Sequence, residues 1–518
     1  MLTVADMLSA QARLQPDRIG ARDLTRAMTF SEWNTRACQL ANALTALGLT
    51  KGDRVAVLAY NRVEWAEIYA AVAKAGLIAV PLNFRLMADD IRFIVEDCAV
   101  AAVIAEDVLA HHFDGLRPVL PLADDRYVLI GGADRSGWQD YEALISGAAT
   151  SEPGVQVTPA DPWCLMYTSG TTGKPKGAIR SHRGMAMLAL MTQVELGLGR
   201  DDDAFLVMPM CHANSLNFFT AFLAIGACTT IFNRASFDAD LCLRRMADMG
   251  VTFTSLVPTH YIMMLERWES GGIDVDFTRI KKLMVSSAPA RAETKRKIME
   301  MFPNSGLYEL YGSTEAGWVT FLHPDEQFDH LGSVGREVTG SAAIRLLDDD
   351  GREVPDGQPG ELFSCSPYAF EGYWNLPEKT AEAFRDGYLT VGDVALRDAQ
   401  GFIRLVDRKK NMIISGGENL YAAEVETVLA RHPDIRDVAV VGLPDAKWGE
   451  HVGAAVVLRP GATLGSGPLI AWSRDHLPGF KRPRTVLFTD ELPRNPTGKI
   501  MHHLVKEMFA AHDKGEPK

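Results

Sequence analysis

The sequence predicts an α/β protein: a large N-terminal lobe of two stacked α/β subdomains plus a β subdomain, followed by a small α+β C-terminal lobe. Three observations carry this. Strand-like and helix-like runs alternate between 33 and 105 and again between 204 and 310, the pattern of βαβ units that bury a parallel sheet between helices. From about 340 the pattern shortens to strands and turns. A charged break, DRKKN at 407–411, then precedes a last segment in which helices and strands mix.

Taken in order, residues 33–48 read as an amphipathic helix, because Trp33, Ala37, Leu40, Leu44 and Leu47 recur at spacings of 4, 3, 4 and 3 and Gly48 stops the run. A buried strand is expected at 55–59, a helix at 63–75, strands at 77–82 and 101–105, and a helix at 88–97 between them. Strand-like runs return at 205–208, 228–232, 252–257 and 282–287. The uncharged stretch 216–232 is only 17 residues long and carries several threonines, so it reads as a buried helix followed by a strand and not as a membrane span. SAAIRLLDDDGREVP (341–355) has the look of a hairpin, and GELFSCS (360–366) of a further β unit. The last segment reads as a helix at 422–431, strands near 437–442 and 451–458, a helix near 468–476 and a strand near 484–488.

At 518 residues the chain exceeds a single core, and its 47% hydrophobic and 23% charged composition is that of a soluble globular protein. The net charge of −13 disfavours a nucleic-acid partner. From 411 onward 13 Lys+Arg balance 13 Asp+Glu, so the whole acidic excess lies in 1–410. Seven scattered cysteines without C-x-x-C spacing read as reduced, mostly buried thiols of a cytosolic protein. Asp6 interrupts the apolar run a signal peptide needs, which points to a cytoplasmic protein.

The stretch YTSGTTGKPKG at 167–177 packs hydroxyls, flexible backbone and two cations into eleven residues. Gly170, Gly173 and Gly177 let main-chain N–H groups turn toward an anion, Thr168, Ser169, Thr171 and Thr172 add hydroxyl donors, and Lys174 and Lys176 add charge. It is not a Walker loop, because Pro175 follows Gly173-Lys174. In YGSTEAG (311–317), Glu315 offers one hard oxygen donor, and Mg²⁺ on a nucleotide is held by one or two carboxylates plus phosphate oxygens. Asp393 in LTVGD, after a strand-like run, is placed to accept ribose hydroxyls, and Arg408 to donate to the same sugar. Lys499 in NPTGKI (495–500) is lifted outward on a tight turn made by Pro496 and Gly498. A carboxylate attacking the α-phosphate of ATP meets a repulsion of several kcal/mol at about 4 Å and an effective dielectric near 20, which a mobile cation relieves. Each of these segments taken alone is an ordinary surface turn.

Together, YTSGTTGKPKG, YGSTEAG, VGD, DRKKNMIISGGEN and NPTGK in this order are far more specific, and on them the chain resembles the adenylate-forming acyl-CoA synthetase family over about 10–510. That family also holds 4-coumarate-CoA ligases, fatty-acyl-CoA ligases, luciferases and the adenylation domains of peptide synthetases. The resemblance implies an AMP-binding domain at 1–409 and a mobile C-terminal domain at 410–518 that carries the adenylation lysine. Thr168, Ser169, Gly170, Thr171, Thr172, Gly173 and Lys176 would cradle the ATP phosphates, with Ala288 and Tyr311 flanking adenine and Gly312, Ser313 and Thr314 completing the nucleotide site. Glu315 looks like the Mg²⁺ ligand, Asp393 and Arg408 like the ribose contacts, Lys410 like the hinge, and Lys499, Glu315, His212 and Thr168 like the catalytic set. Gly416, Gly417 and Glu418 would line the pantetheine tunnel, and Lys481 and Arg482 would meet the phosphates of coenzyme A. His212 matches a gate between ATP and acid, and the acyl pocket projects onto His212, Asn214, Asn217, Phe218, Thr254, Leu256, Tyr261, Ser286, Gly312, Trp318 and Val319.

Val391, Ser286-Ser287-Ala288-Pro289, His502 and His503 depart from the family pattern and leave the charged groups in place. The implied reaction is activation of a carboxylic acid as acyl-AMP, then transfer to the thiol of coenzyme A, with a medium-chain, alicyclic or aromatic acid as substrate. The alternatives are an adenylation enzyme loading a carrier protein, a luciferase-like oxygenase and a non-catalytic binding protein. PMCHANSLNFF (209–219) lacks the aspartate that amino-acid-activating modules use, and retention of Lys499, Glu315 and Asp393 opposes the last alternative. A homodimer is compatible with the chain.

Overall fold

The computed structural model describes residues 3–132, 135–168, 174–288, 290–415, 418–445, 448–494 and 498–513, with backbone alone at 418, 419 and 513. Two compact units emerge, one of Met1–Ile344 with Ser364–Leu389 and one of Arg345–Phe363 with Thr390–Lys518.

The first unit opens with α1 (Val4–Leu14), β1 (Ile19–Asp23), β2 (Ala27–Thr29) and α2 (Phe30–Ala46). Then come β3 (Arg54–Leu58), α3 (Glu64–Lys74), β4 (Ile78–Pro81), α4 (Ala88–Asp97), β5 (Ala102–Glu106), β6 (Tyr127–Ile130), β7 (Gln139–Asp140) and α5 (Tyr141–Ser146). A hairpin of β8 (Pro162–Thr168) and β9 (Lys176–Ser181) follows, then α6 (His182–Leu196), β10 (Asp203–Leu206), α7 (Ala213–Ile225), β11 (Cys228–Ile231), α8 (Ala239–Asp248) and β12 (Phe253–Leu256). The run closes with α9 (Pro258–Glu269), β13 (Lys282–Ser286), α10 (Ala292–Met301), β14 (Gly306–Ser313), β15 (Gly317–Leu322) and β16 (Arg336–Glu337).

These strands form two sheets. The seven-stranded one has the order β7-β6-β5-β3-β4-β8-β9 and is parallel except where β9 turns back on β8. The nine-stranded one, β16-β15-β14-β13-β12-β10-β11-β1-β2, is parallel from β14 to β1 and antiparallel at both edges. Helices α2, α3, α6 and α7 contribute to one core shared by both sheets, where Tyr69 meets Trp163 at 5.6 Å and Phe219 at 6.0 Å. All eleven residues of α3 are buried, so its charges need partners. Glu67 accepts from Arg26 at 2.7 Å, Arg36 at 2.6 Å and the Tyr141 hydroxyl at 2.7 Å, and Lys74 donates to Glu152 at 2.7 Å.

The alternation expected at 33–105 is present, with α2 starting three residues earlier than expected and the other elements within one residue, and 88–97 is a helix as expected. Two corrections concern strand ends and edges. β10 starts at Asp203, earlier than the apolar run suggests, because Asp203 is satisfied inside the sheet by Arg22 at 2.6 Å and Thr230 at 2.8 Å. The edge pair β1–β2 and the helix α1 precede the first element expected from the sequence; α1 opens with a Thr3–Asp6 capping box, and Gln11 and Gln15 donate to the carbonyls of Ala224 and Gly226 at the end of α7. The uncharged stretch is a helix ended by Gly226 at φ +77° and then β11, and among the described residues no helix is long and apolar enough to cross a membrane.

β17 (Ala342–Leu347) and β18 (Gly360–Cys365) lie across the division of the units, and α11 (Pro377–Ala383), β19 (Phe384–Arg385) and β20 (Tyr388–Leu389) complete the first. In the second unit β21 (Asp393–Arg397) pairs antiparallel with β22 (Ile403–Arg408). Beyond them are β23 (Met412–Ser415), β24 (Glu418–Tyr421), α12 (Ala422–Leu429), β25 (Ile435–Asp445), β26 (Gly449–Leu458), α13 (Ser466–Ser473), β27 (Thr485–Phe488) and α14 (His502–Asp513). The long β25–β26 ladder separates two small cores, one toward α12 and α13 and one toward α14.

Candidate active site

The first cluster grows from the β8–β9 hairpin, whose register sets Thr168 opposite Lys176. Ser169, Gly170, Thr171, Thr172 and Gly173 lie outside the described residues. Gly177 packs closely on its cross-strand neighbour, since a Cβ there would stand 3.0 Å from the Tyr167 ring. The second component is the β14–β15 hairpin, where Gly312 permits the tight return: a Cβ on it would stand 2.2 Å from the Gly317 carbonyl oxygen. The Ser313 hydroxyl closes the turn by accepting from the Ala316 N–H at 2.9 Å.

These two turns bring Glu315 beside Thr168, whose hydroxyl donates to Oε1 at 3.4 Å, while the Tyr373 hydroxyl donates to the same oxygen at 2.8 Å. Glu315 is 8% exposed. The Lys176 ammonium stands 4.0 Å above the Tyr373 ring; burial pushes its pKa down, opposed by Glu315. The segment 370–374 laces the parts together: Phe370 N–H donates to the Glu315 carbonyl at 2.7 Å, Glu371 N–H to Ile179 at 3.0 Å, and Trp374 N–H to Gly177 at 2.8 Å. Behind the turn, Arg180 is 1% exposed and donates through Nη1 to the Thr314 carbonyl at 2.7 Å. Its Nε and Nη2 have no hydrogen-bond partner among the described residues, and burial pushes the guanidinium down to about 10. Neither Arg180 nor Tyr373 belongs to a motif, and no local signal marks them; they are found only because the fold brings them to Glu315 and Thr314.

Ser286 pairs with Leu310, which carries Ala288 and Tyr311-Gly312 to the same end of neighbouring parallel strands. This is where ligands of open α/β sheets bind. Ser287 there adopts φ +68°, a left-handed conformation uncommon for a residue with a Cβ.

His212 caps the N-terminus of α7, with Nε2 3.1 Å from Asn83 Nδ2. Two residues on, the Asn214 amide donates to the hydroxyls of Ser255 at 3.0 Å and Ser286 at 2.9 Å. Phe218 packs on Trp318 at 5.0 Å between ring centroids, and the Trp318 indole N–H donates to Thr192 at 2.8 Å. Asn217 and Val319 are buried nearby in sequence on the same α7 and β15 elements. Thr254, Leu256 and Tyr261 are fully buried: the Thr254 hydroxyl donates to Phe205 at 2.8 Å, the Tyr261 hydroxyl to Met284 at 3.1 Å, and Leu256 packs in the core on the outer face of the sheet.

Asp393 follows the short strand β20 by four residues and, in the second unit, opens β21, where it pairs in register with Arg408, whose Nε donates to Asp393 at 3.0 Å. Lys409 pairs with Asp349 at 2.7 Å and Glu361 at 3.0 Å, and Lys410 follows in an exposed turn over 409–411. Gly416 and Gly417 lie outside the described residues, and Glu418 is described by its backbone, which pairs with Ser415. Lys481 donates to both Glu424 oxygens at 2.6 Å, and Arg482 to the Leu477 and Arg474 carbonyls at 2.7 and 3.1 Å. Lys499 is exposed and follows Gly498 at φ +85°. Arg494 braces that turn by pairing with Asp437 and donating to the Gly498 carbonyl at 2.6 Å.

Residues 8–374 match the family of AMP-binding enzymes, and residues 424–499 match the AMP-binding enzyme C-terminal domain. The chain is 34% identical over 502 residues to the feruloyl-CoA synthase of Amycolatopsis sp, covering 96% of this chain and 97% of that protein. It is 33% identical over 513 residues to the indoleacetate–CoA ligase of Aromatoleum aromaticum, covering 98% of each. It superposes on the O-succinylbenzoate coenzyme A synthetase of Bacillus subtilis in complex with ATP and magnesium ion with a TM-score of 0.85, at 26% identity over 96% of this chain and 99% of that one.

Proposed function

The chain belongs to the AMP-binding enzyme family and is an AMP-forming acyl-CoA ligase; from that premise we propose that it activates an aromatic carboxylic acid with ATP and Mg²⁺ and passes the acyl group to coenzyme A. The observation that carries the assignment of roles is the convergence of Thr168, Lys176 and Tyr373 on Glu315 at two hairpin turns. Glu315 fits Mg²⁺, being one hard carboxylate held on Oε1 by hydroxyls. Among the described residues no cluster of three or more His, Cys, Asp or Glu could cage an ion, so the remaining ligands would be phosphate oxygens. When bound, Mg²⁺ supplies neutralisation of the phosphate charge.

The backbone and hydroxyls of 168–173 with Lys176 then hold the phosphates, Ala288, Tyr311, Gly312, Ser313 and Thr314 the rest of the nucleotide, and Asp393 with Arg408 the ribose. Lys499 brings positive charge between the attacking carboxylate and the α-phosphate, where like charges repel by several kcal/mol at about 4 Å and an effective dielectric near 20. Two chemically different steps at one site require one group to leave and another to arrive. The domains 1–409 and 410–518 turn about Lys410 to do this, retiring Lys499 and bringing Gly416, Gly417 and Glu418 to the pantetheine arm. Lys481 and Arg482 meet the phosphates of coenzyme A, which requires Lys481 to exchange Glu424 for phosphate.

The acid lies beyond His212, among Asn214, Asn217, Ser286, Gly312 and Val319, against the Phe218–Trp318 pair. The indole is held by Thr192 and packs at a tilt of 34° on the Phe218 ring, a rigid wall suited to a flat ring and obstructive to a long chain. Feruloyl-CoA synthase and indoleacetate–CoA ligase, two relatives that align along almost the whole chain, take aromatic acids by name. Free cysteines throughout support a reducing, cytoplasmic location. The test is a panel of aromatic, alicyclic and straight-chain acids assayed for pyrophosphate release and thioester formation with and without coenzyme A. Aromatic acids giving coenzyme-A-dependent thioester are expected; turnover of straight-chain acids alone refutes the substrate class, and acyl transfer to a carrier protein but not to coenzyme A refutes the acceptor.

A further inference from the structure

We propose that Asn61 and Asn83 are positioning residues that hold His212 as a neutral imidazole with its proton on Nδ1. The inference rests on the assignment of His212 to the acid-side gate. Asn61 follows β3 and Asn83 follows β4, both at the C-terminal ends of parallel strands in the seven-stranded sheet, whereas His212 follows β10 of the nine-stranded sheet. The loop bearing His212 is therefore gripped from the opposite sheet.

Asn61, 7% exposed, uses every polar atom of its side chain on that loop. Nδ2 donates to the Val207 and Met208 carbonyls at 3.2 and 3.1 Å, and Oδ1 accepts from the Met210 N–H at 2.8 Å. The Tyr69 hydroxyl donates to Met210 at 2.8 Å and the Ser215 hydroxyl to Met208 at 2.7 Å. With the His212 N–H donating to Pro209 at 3.0 Å, the loop backbone has little freedom left.

Asn83 then decides the ring. Its Oδ1 accepts from the Arg85 N–H at 2.9 Å, which fixes the amide orientation, because the flipped amide would set NH₂ against N–H. Nδ2 must therefore be the atom facing His212 Nε2 at 3.1 Å. An amide NH₂ only donates, so Nε2 must accept through its lone pair and the imidazole proton sits on Nδ1. Protonating Nε2 would replace this bond with two opposed donors. Cys211 precedes His212 in the chain, Arg85 lies two residues past Asn83, and His260 is near enough to Arg85 to feel its charge. Arg85 acts on both others: burial pushes the Cys211 thiol up to about 12 against the Arg85 charge, and burial with Arg85 pushes His260 down to about 4. None of these favours an imidazolium at His212. The gate thus presents a neutral ring whose only N–H donor is Nδ1, and Nε2 is not available as a proton acceptor for substrate.

The test is ¹⁵N NMR of histidine-labelled full-length enzyme, with the His212 signals identified by their loss in His212→Gln. Near neutral pH, Nε2 in the unprotonated range and Nδ1 in the protonated range are expected. Asn83→Asp, isosteric but an acceptor, should move the proton to Nε2, shift the acid limb of acid-dependent pyrophosphate release to higher pH, and lower kcat/KM for the acid by roughly 10–100-fold, the range typical for lost orienting partners. Asn83→Leu should lower kcat/KM by about tenfold without raising the acid limb. A protonated Nε2 in the unaltered enzyme, or an unchanged tautomer and pH profile in Asn83→Asp, overturns the proposal. If instead His212→Gln releases pyrophosphate at the full rate, the gate assignment falls, while the tautomer stands or falls on the NMR alone.

Discussion

Replacing Arg180 with methionine should make the protein more stable, or leave it equally so, while impairing its use of Mg-ATP. Arg180 is buried with one hydrogen bond, to the Thr314 carbonyl at 2.7 Å, and two N–H-bearing nitrogens without partners among the described residues. Burial pushes the guanidinium down to about 10, which corresponds to a penalty on the charged form of about 3 kcal/mol. The charge-assisted bond to Thr314 returns about 1.5–3 kcal/mol. Methionine fills much of the same volume without the desolvation penalty, so the net change in folding free energy is expected between roughly zero and 2 kcal/mol in favour of the variant, as for other buried charges replaced by apolar residues. The Thr314–Glu315 turn would lose its anchor at the same time, and with it the positive charge behind Glu315. The assays are a urea midpoint for the first unit and the Mg-ATP dependence of pyrophosphate release. A rise in the apparent KM for Mg-ATP of about tenfold, a loss of some 1.4 kcal/mol, with no loss of stability is expected. A variant destabilised by more than about 2 kcal/mol with an unchanged KM would refute the reasoning and mark Arg180 as a purely structural residue.

Three further outcomes follow from the same geometry. Lys499→Ala should slow acyl-AMP formation by roughly 10²–10³ and spare thioester formation from supplied acyl-AMP, measured by separate half-reaction assays; equal losses in both would remove the lysine from the first step. Trp318→Leu should open the aromatic wall and raise relative kcat/KM for longer straight-chain acids by about tenfold, since a methylene-scale change in a pocket is worth about 1–3 kcal/mol; an unchanged chain-length profile would place the wall elsewhere. His323 has its pKa raised, first by its hydrogen bond to Glu195 at 3.1 Å. A raised folded-state pKa gives stability that is full below the unfolded value near 6.5 and is lost as pH rises through the folded one. Relative to His323→Gln, the unaltered protein should lose under about 1 kcal/mol of stability as pH climbs above about 6.5, the ring being partly exposed; parallel pH–stability curves would contradict this.

Much of the fold was legible because parallel βαβ units write a strong periodic signal. The helix at 88–97 and the sheet strands between 55 and 105 are where hydropathy puts them. The central strands of the nine-stranded sheet are buried on both faces, with no alternation of apolar and polar residues, so sequence could find Phe253–Leu256 but not say which face each residue takes. Thr254 and Leu256 on that strand, projected onto the acyl pocket, lie in enclosed positions, as does Tyr261 on α9, and the hydroxyls of Thr254 and Tyr261 serve backbone carbonyls. The polar start of β10 at Asp203 escaped for a related reason: its partners, Arg22 and Thr230, come from other strands.

The linear order of residues determined the reaction class, because hydroxyls, glycines, one carboxylate and one distant lysine must occur in particular short turns for phosphate chemistry, and such turns are local. Only the tertiary structure decided which residues stand behind those turns. Tyr373 reaches Glu315 across 58 positions, Asn83 reaches His212 across 129, Arg180 reaches Thr314 across 134, and Asn61 reaches Met210 across 149. These pairings follow from the order of strands in two sheets, and strand order leaves no period in a sequence: it is set by which apolar faces can be buried together.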